Sequence, residues 1–148
     1  MEATQVIVGL GSCGIAAGAN KTYNKILAFK EADKLNFELK KTSCIGMCYR
    51  EPLVEVIDST GSYMYGEMDE EKAVQMIESH IKQGVPVRDF IVSSDLYDAP
   101  DNDYLNQQVR IVLRNCGRID PESVEEYEAR DGYRSIKGII QELSLIHI

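Results

Sequence analysis

The chain has 148 residues, with 24 acidic and 16 basic side chains and a formal net charge of -8. This acidic balance excludes nucleic-acid binding through neutralised phosphates, and the apolar runs are far shorter than the roughly 20 residues of a membrane helix. No basic and apolar leader precedes the first strand, so we expect a cytoplasmic protein without direct membrane insertion.

The first 90 residues predict alternating strands and helices. A buried strand at 4–10 leads into a helix from about 16 to 35, and a short strand follows at about 36–41. Two strands, 53–58 and 62–68, are joined by a turn, and Asp69 caps a helix that Gly84 ends. The residues expected to face the core on these two helices are Ala16, Ala19, Tyr23, Ile26, Leu27, Val74, Ile77 and Ile81. The order β-α-β-β-β-α is typical of a thioredoxin-like α/β fold.

The second half of the chain predicts a linker and a further segment. Residues 91–107 are polar, acidic and turn-prone, as linkers are, and 109–114 predict a strand. Asp120 and Pro121 predict the start of a helix that 131–133 breaks, and Tyr133, Ile136, Ile140 and Leu143 mark another helix. We therefore divide the chain into a domain at 1–90, a linker at 91–107 and a segment at 108–142. The last six residues, LSLIHI at 143–148, resemble a translated sequencing adapter and are expected to be non-native.

Three of the four cysteines are candidates for one site. Without a signal peptide, cysteines serve more often as metal ligands, catalytic groups or buried thiols than as disulfides. Cys13 lies at a strand-to-helix turn, where free backbone N–H groups and the helix dipole stabilise a thiolate or an anionic cluster. If the first two strands run parallel, Cys44 and Cys48 converge on Cys13. Cys116 has no second cysteine nearby and is expected to be a small packed thiol at a strand end.

Other sites fit this pattern less well. A zinc site takes four Cys or His ligands, and the only histidines are His80, expected to be a half-exposed helix residue, and His147 in the tail. A thioredoxin-type dithiol has two residues between its cysteines, whereas three separate this pair. The stretch GLGSCG matches a dinucleotide fingerprint, but the acidic residues about 20 positions on, Glu31 and Asp33, fall inside the predicted helix.

Two stretches resemble a known family. VGLGSCGIAAGA with TSCIGMCYREPLVEV is similar to the thioredoxin-like [2Fe-2S] ferredoxin domain at the N-terminus of the NADH-binding flavoprotein subunits of bacterial NADH dehydrogenases and NAD(P)-linked hydrogenases. RIVLRNCGRIDPESVEEYEARDGYRSI resembles the segment that opens the flavoprotein domain of those subunits. The resemblance implies electron transfer within an NADH:acceptor oxidoreductase, with other subunits of an NADH dehydrogenase or hydrogenase complex as partners. It also implies that FMN, NAD and [4Fe-4S] clusters bind only in a longer parent, so this piece alone is not catalytic.

The resemblance implies a [2Fe-2S] cluster with Cys13, Cys44 and Cys48 as metal ligands. The family pattern has a fourth cysteine five positions before Cys13, where this chain has Val8. A cluster of this type needs four protein ligands. Either Ser12 or another group completes the site, or the chain is a cluster-free docking module of the same complex.

Overall fold

The computed structural model describes residues 4–142, so the predictions for Leu143, His147 and the 143–148 tail lie outside the described residues. The strands are β1 (Gln5–Gly9), β2 (Glu38–Thr42), β3 (Val54–Ile57), β4 (Ser62–Tyr65) and β5 (Ile91–Ser94). The helices are α1 (Ser12–Ala17), α2 (Ala19–Ala32), α3 (Glu70–Met76, continued by a π-helical turn at Ile77–Ile81), α4 (Asn102–Asn106), α5 (Val124–Ala129) and α6 (Arg134–Glu142). None of these helices has the length and apolarity that a membrane crossing requires.

One mixed sheet organises the chain, in the order β2-β1-β3-β4-β5. β1 and β2 are parallel because the helical crossover α1–α2 returns the chain to the end of the sheet at which β1 begins. The other neighbouring strands are antiparallel. The element order confirms the predicted β-α-β-β-β-α arrangement and the α/β fold class. The hairpin between β3 and β4 and the Asp69 cap, which accepts from the Lys72 amide at 2.8 Å, are confirmed as well.

The main core lies between one face of this sheet and the helices. Alternate strand residues point to that face, as the two-residue period of a strand requires. The buried residues of this cluster include Val6, Val8, Ala19, Ile26, Val54, Val56, Tyr63, Tyr65, Ala73, Met76 and Ile77. The opposite face borders a cavity of about 590 Å³ that residues from the 105–118 stretch also line. Packing of this core holds the strands in place. The loops that follow the strands lie outside the core, where their side chains can form a site.

The single helix predicted at 16–35 is wrong, because the chain breaks it at Gly18. This residue has a φ of 104°, in the left-handed region that favours glycine, and its amide donates to the Ile15 carbonyl to end α1. In the second helix Ala19 and Ile26 are buried and Tyr23 packs partly buried against the core, as predicted. Thr22 is buried as well and donates to the Met68 carbonyl at 2.6 Å. Ala16, predicted to face the core, is exposed.

The predicted linker at 91–107 is wrong at both of its structured parts. Ile91–Ser94 pairs with β4 as the edge strand of the sheet, and Ile91 and Val92 are buried. Asn102–Asn106 then forms a helical turn, and the Asp101 amide donates to the Val92 carbonyl at 2.9 Å. Two buried apolar side chains suffice for a four-residue edge strand. So short an apolar stretch is hard to recognise in a sequence that is otherwise polar. The sheet therefore extends past residue 90.

The chain after residue 107 also differs from prediction in part. Residues 109–114 form no strand, and Val109 and Val112 there are about 90% exposed, at 88% and 92%. Ser123, rather than Asp120, caps α5, accepting from the Glu126 amide at 3.1 Å. Pro121 therefore precedes the helix. The break at 131–133 and the last helix, α6, are confirmed.

His80 was predicted to be a half-exposed helix residue and is instead buried, with 3% of its surface exposed. Its Nδ1 lies 2.7 Å from the Tyr65 hydroxyl and its Nε2 lies 3.0 Å from Asp58 Oδ2. The prediction assumed the regular period of an α-helix. The π-helical turn at Ile77–Ile81 changes which residues face the core. Burial lowers the pKa of His80, although the neighbouring Asp58 opposes that shift.

Acidification from pH 7 to pH 5 should destabilise the fold through His80. The unfolded histidine, with a pKa of about 6.5, binds protons more readily than the folded one, so the free energy of unfolding falls as pH drops below about 6.5. Urea unfolding of the wild type and His80→Gln, at intervals across this range, measures the effect. The variant should be less stable by about 1–3 kcal/mol at pH 7 and should show a flatter pH dependence. Parallel pH profiles in the two proteins would contradict the assignment.

Candidate metal centre

The loops that follow β1 and β2 lie at the same end of the sheet, because the two strands are parallel. The register pairs Gly9 with Thr42 at the carboxyl ends of the two strands. Cys13 follows β1 as the second residue of α1, and Cys44 follows β2 by two positions. Cys48 begins a 3-10 turn at Cys48–Arg50. The parallel arrangement on which the predicted convergence depended is therefore present.

The three thiols form a compact group. The sulfurs of Cys13, Cys44 and Cys48 lie within 4.8 Å of one another, and the sulfurs of Cys44 and Cys48 are 3.6 Å apart. Cys13 and Cys44 are partly buried, whereas Cys48 is exposed. Among residues 4–142, these three cysteines form a set of closely spaced side chains that could hold a metal ion.

The loop from Cys44 to Cys48 is anchored by its own side chains and backbone. Met47 points inward and is fully buried in a second apolar cluster with Leu53 and Val92. The Gly46 amide donates to Cys44 Sγ at 3.3 Å, and Gly46 adopts a φ of 94° that glycine tolerates best. Amide donors to sulfur are one way in which a protein tunes the potential of an iron–sulfur group.

The turn after Cys48 is held by a segment distant in sequence. Arg50 Nε donates to Asp101 Oδ2 at 2.8 Å, and the Tyr49 hydroxyl donates to the other oxygen of the same carboxylate at 3.0 Å. Because Asp101 is buried, solvent screens this ion pair less than it screens most surface pairs. The stretch that was predicted to be a linker thus positions one of the three cysteines.

The expected thiolate at Cys13 is not what the surroundings favour. The neighbouring Cys44 thiol and partial burial raise the pKa of Cys13, and the Glu51 carboxylate adds to the effect. The helix that begins here, α1, has only six residues, which limits its dipole. Without a bound metal, the Cys13 thiol is therefore expected to be protonated at neutral pH, and metal binding there must release its proton.

Glu51 is a further residue of this site that sequence reasoning missed. Its side chain is buried, with 8% of the residue exposed, and Oε1 lies 3.7 Å from Cys13 Sγ. The other oxygen accepts from the Leu53 amide at 2.9 Å. A Cβ on Gly14 would lie 3.0 Å from Oε2, so a glycine there leaves room for the carboxylate. Burial raises the pKa of Glu51.

The remaining candidate positions lie apart from this group. Val8 is fully buried in the core of the sheet, where its side chain packs among apolar residues. Ser12 is exposed at the beginning of α1. Cys116 lies in a turn rather than at a strand end, is partly buried, and is not a member of the three-thiol group.

Three convergent thiols are chemically suited to a soft metal. Thiolate ligands select zinc, copper(I) and iron–sulfur groups, whereas carboxylates and water suit magnesium and calcium. A closed structural zinc site takes four Cys or His ligands, and neither His80, bound to Tyr65 and Asp58, nor Cys116 belongs to this group. The three thiols therefore supply three of the four protein ligands that either a zinc ion or a [2Fe-2S] cluster takes.

Sequence comparison relates this chain to a hydrogenase subunit. No protein-family model matches the sequence. The chain is 29% identical over 90 residues to the NADP-reducing hydrogenase subunit HndB of Solidesulfovibrio fructosivorans, a match that covers 60% of this chain and 71% of that subunit. This relative is a subunit of a hydrogenase, so the chain is related to a component of a redox complex.

Solved structures share the architecture. One structure of the wild-type thioredoxin-like [2Fe-2S] ferredoxin of Aquifex aeolicus superposes with a TM-score of 0.57 at 20% identity, covering 63% of this chain and 99% of that one. Another structure of a thioredoxin-like [2Fe-2S] ferredoxin from the same organism gives 0.58 at 19% identity, covering 66% and 96%. At this identity the likeness shows the fold, which is that of thioredoxin-like ferredoxins.

Proposed function

We propose that this chain is an electron-transfer component of an NAD(P)-linked redox complex, and that Cys13, Cys44 and Cys48 bind a [2Fe-2S] cluster. The single observation that carries the proposal is the convergence of the three sulfurs within 4.8 Å at the edge of a ferredoxin-like fold. Such a cluster, when bound, accepts and donates one electron at a time. The exposed Cys48 side supplies a short path to a partner, and the buried Met47 side excludes water.

The hydrogenase relative supports the kind of complex that we propose. That relative is a subunit of an NADP-reducing hydrogenase, and we infer a similar assembly for this chain, with neighbouring subunits as electron donor and acceptor. Oxidation of NADH through FMN and [4Fe-4S] clusters belongs, in this proposal, to a longer parent or to a neighbouring subunit. The segment at 108–142 is then the beginning of the flavoprotein domain, which its sequence resembles.

Anaerobic purification of the chain should yield a coloured protein with about two irons and two sulfides per chain. Visible absorption that dithionite bleaches, with an electron paramagnetic resonance signal after reduction, would identify the cluster. Metal analysis that finds zinc instead of iron would refute the proposal. Full metal analysis is therefore part of the measurement.

A cluster-free docking module is the second candidate, and a specific observation favours it. The position predicted for a fourth cysteine, Val8, is part of the apolar core and offers no ligand. On this alternative the fold survives as an interaction surface, and the protein is colourless after reconstitution with iron and sulfide. Tight binding of this iron-free protein to a flavoprotein subunit would then support the docking role.

A further inference from the structure

Glu51 is a buried carboxylate without a basic partner among the described residues. Its hydrogen-bond partners there are the Leu53 amide, at 2.9 Å from Oε2, and the Cys13 thiol, at 3.7 Å from Oε1. Burying an ionised carboxylate without a paired charge is costly, so such groups are paired, bind metals or take up a proton. A bound cation beside Oε1 would compensate that cost.

The separations between donor atoms form two matched pairs. The sulfurs of Cys44 and Cys48 are 3.6 Å apart, and Cys13 Sγ lies 3.7 Å from Glu51 Oε1. Two donors on one tetrahedral metal with bonds of about 2.3 Å lie roughly 3.8 Å apart, and slightly less when one of them is oxygen. Each pair therefore has the spacing of two ligands on a single metal ion. Cys13 Sγ also lies within 4.8 Å of the other two sulfurs, so the two pairs must move apart to hold the two irons of a [2Fe-2S] cluster.

The loop geometry holds Glu51 in this place. Oε2 is fixed by the Leu53 amide, which leaves Oε1 directed at Cys13. Gly9 and Gly14 border the carboxylate, and a Cβ on either would lie within 3.6 Å of one of its oxygens. The carboxylate thus occupies a pocket that two glycines leave open, on the inner side of Cys13.

We propose that Glu51 is the fourth protein ligand of the site, sharing one iron with Cys13, while Cys44 and Cys48 share the other. This inference rests on the proposed function, since it assigns a ligand to the cluster proposed above. Non-cysteine ligands on one iron have a precedent in clusters where two histidines replace two cysteines. A carboxylate oxygen is a harder donor than sulfur, so the two irons should be electronically different.

Two variants with a matched control test the ligand. Glu51→Gln keeps the size and the acceptor for the Leu53 amide but loses the charge, and Glu51→Cys restores a strong ligand. Glu55→Gln is the control, because Glu55 bonds to Ser62 on the neighbouring strand and lies outside the thiol group. We expect Glu51→Gln to lose iron about tenfold faster to a chelator, while Glu51→Cys and Glu55→Gln retain it. Circular dichroism shows whether each variant is folded.

Mössbauer spectroscopy of the oxidised wild type tests the same ligand without any substitution. Two ferric sites of unequal isomer shift are expected, the larger belonging to the iron with an oxygen ligand, and Glu51→Cys should make them nearly equal. Equal all-sulfur sites in the wild type, or full iron retention by Glu51→Gln with an unchanged spectrum, would overturn the assignment of Glu51 and leave the cluster itself standing. A wild type that holds no iron after reconstitution would instead refute the proposed function, and the ligand assignment with it.

Discussion

Cys44→Ala should abolish stable cluster binding, with a loss of bound iron of at least tenfold relative to the wild type. Cys44 lies at the centre of the group, since it is 3.6 Å from Cys48 Sγ, accepts a hydrogen bond from the Gly46 amide and lies beside Cys13. Alanine supplies no donor in its place, whereas serine would still offer an oxygen. Iron and sulfide analysis after anaerobic reconstitution measures the loss, together with the visible absorption.

Cys116→Ala is the matched control for this substitution. Cys116 is a partly buried thiol in a turn outside the three-cysteine group, so its removal should leave iron content and absorption unchanged. If Cys44→Ala kept its full complement of iron while Cys116→Ala lost it, the ligands would have been assigned to the wrong thiols. Since the apoprotein core does not depend on Cys44, both variants should remain folded by circular dichroism.

The sequence was sufficient to predict the part of the fold that builds the site. A strand, a helical crossover and a second strand predict a parallel pair, and parallel strands bring the loops after their carboxyl ends together. Local signals placed the β3–β4 hairpin and the Asp69 cap, because each depends on residues that lie close in the chain. The convergence of the three cysteines was predicted on the condition that β1 and β2 are parallel, and the structure meets this condition.

Features that depend on tertiary contacts were not predicted. Glu51 lies in a loop beside a proline, and nothing in its neighbours announces that Gly9 and Gly14 leave space for its carboxylate. The signal in the sequence was an acidic residue placed directly between the cysteine loop and the apolar strand predicted at 53–58. Burial of His80 depended on a π-helical turn that a regular helical period does not contain. The β5 edge strand depends on two apolar residues whose pairing with β4 is remote in sequence.

The site depends on the close approach of two backbone segments as much as on its donors. Gly11 caps α1, and a Cβ on this residue would lie 2.8 Å from both the backbone nitrogen and the Cβ of Cys44. Real Cβ atoms do not pack so closely, so any larger residue must push the second loop away from the first. The close approach of Cys13 and Cys44 therefore depends on the lack of a side chain at Gly11.

Gly11→Ala should consequently destabilise the chain by about 1–3 kcal/mol and reduce bound iron severalfold. The φ of -68° and ψ of 170° at Gly11 suit alanine, so the effect would come from the contact with Cys44 and not from backbone strain. Urea unfolding of the apoprotein measures the first effect, and iron analysis after reconstitution measures the second.

Gly138→Ala provides the control for added side-chain volume. Gly138 lies within α6. Apart from its chain neighbours and the backbone of its own helix, no described atom comes within 4 Å of the position that its Cβ would take. Alanine there should preserve iron binding and stabilise the helix by up to about 1 kcal/mol, because alanine favours helix more than glycine does. If Gly11→Ala behaved like Gly138→Ala in both measurements, the two loops would be able to separate without loss. The spacing of the cysteines would then be set by the bound metal rather than by the fold.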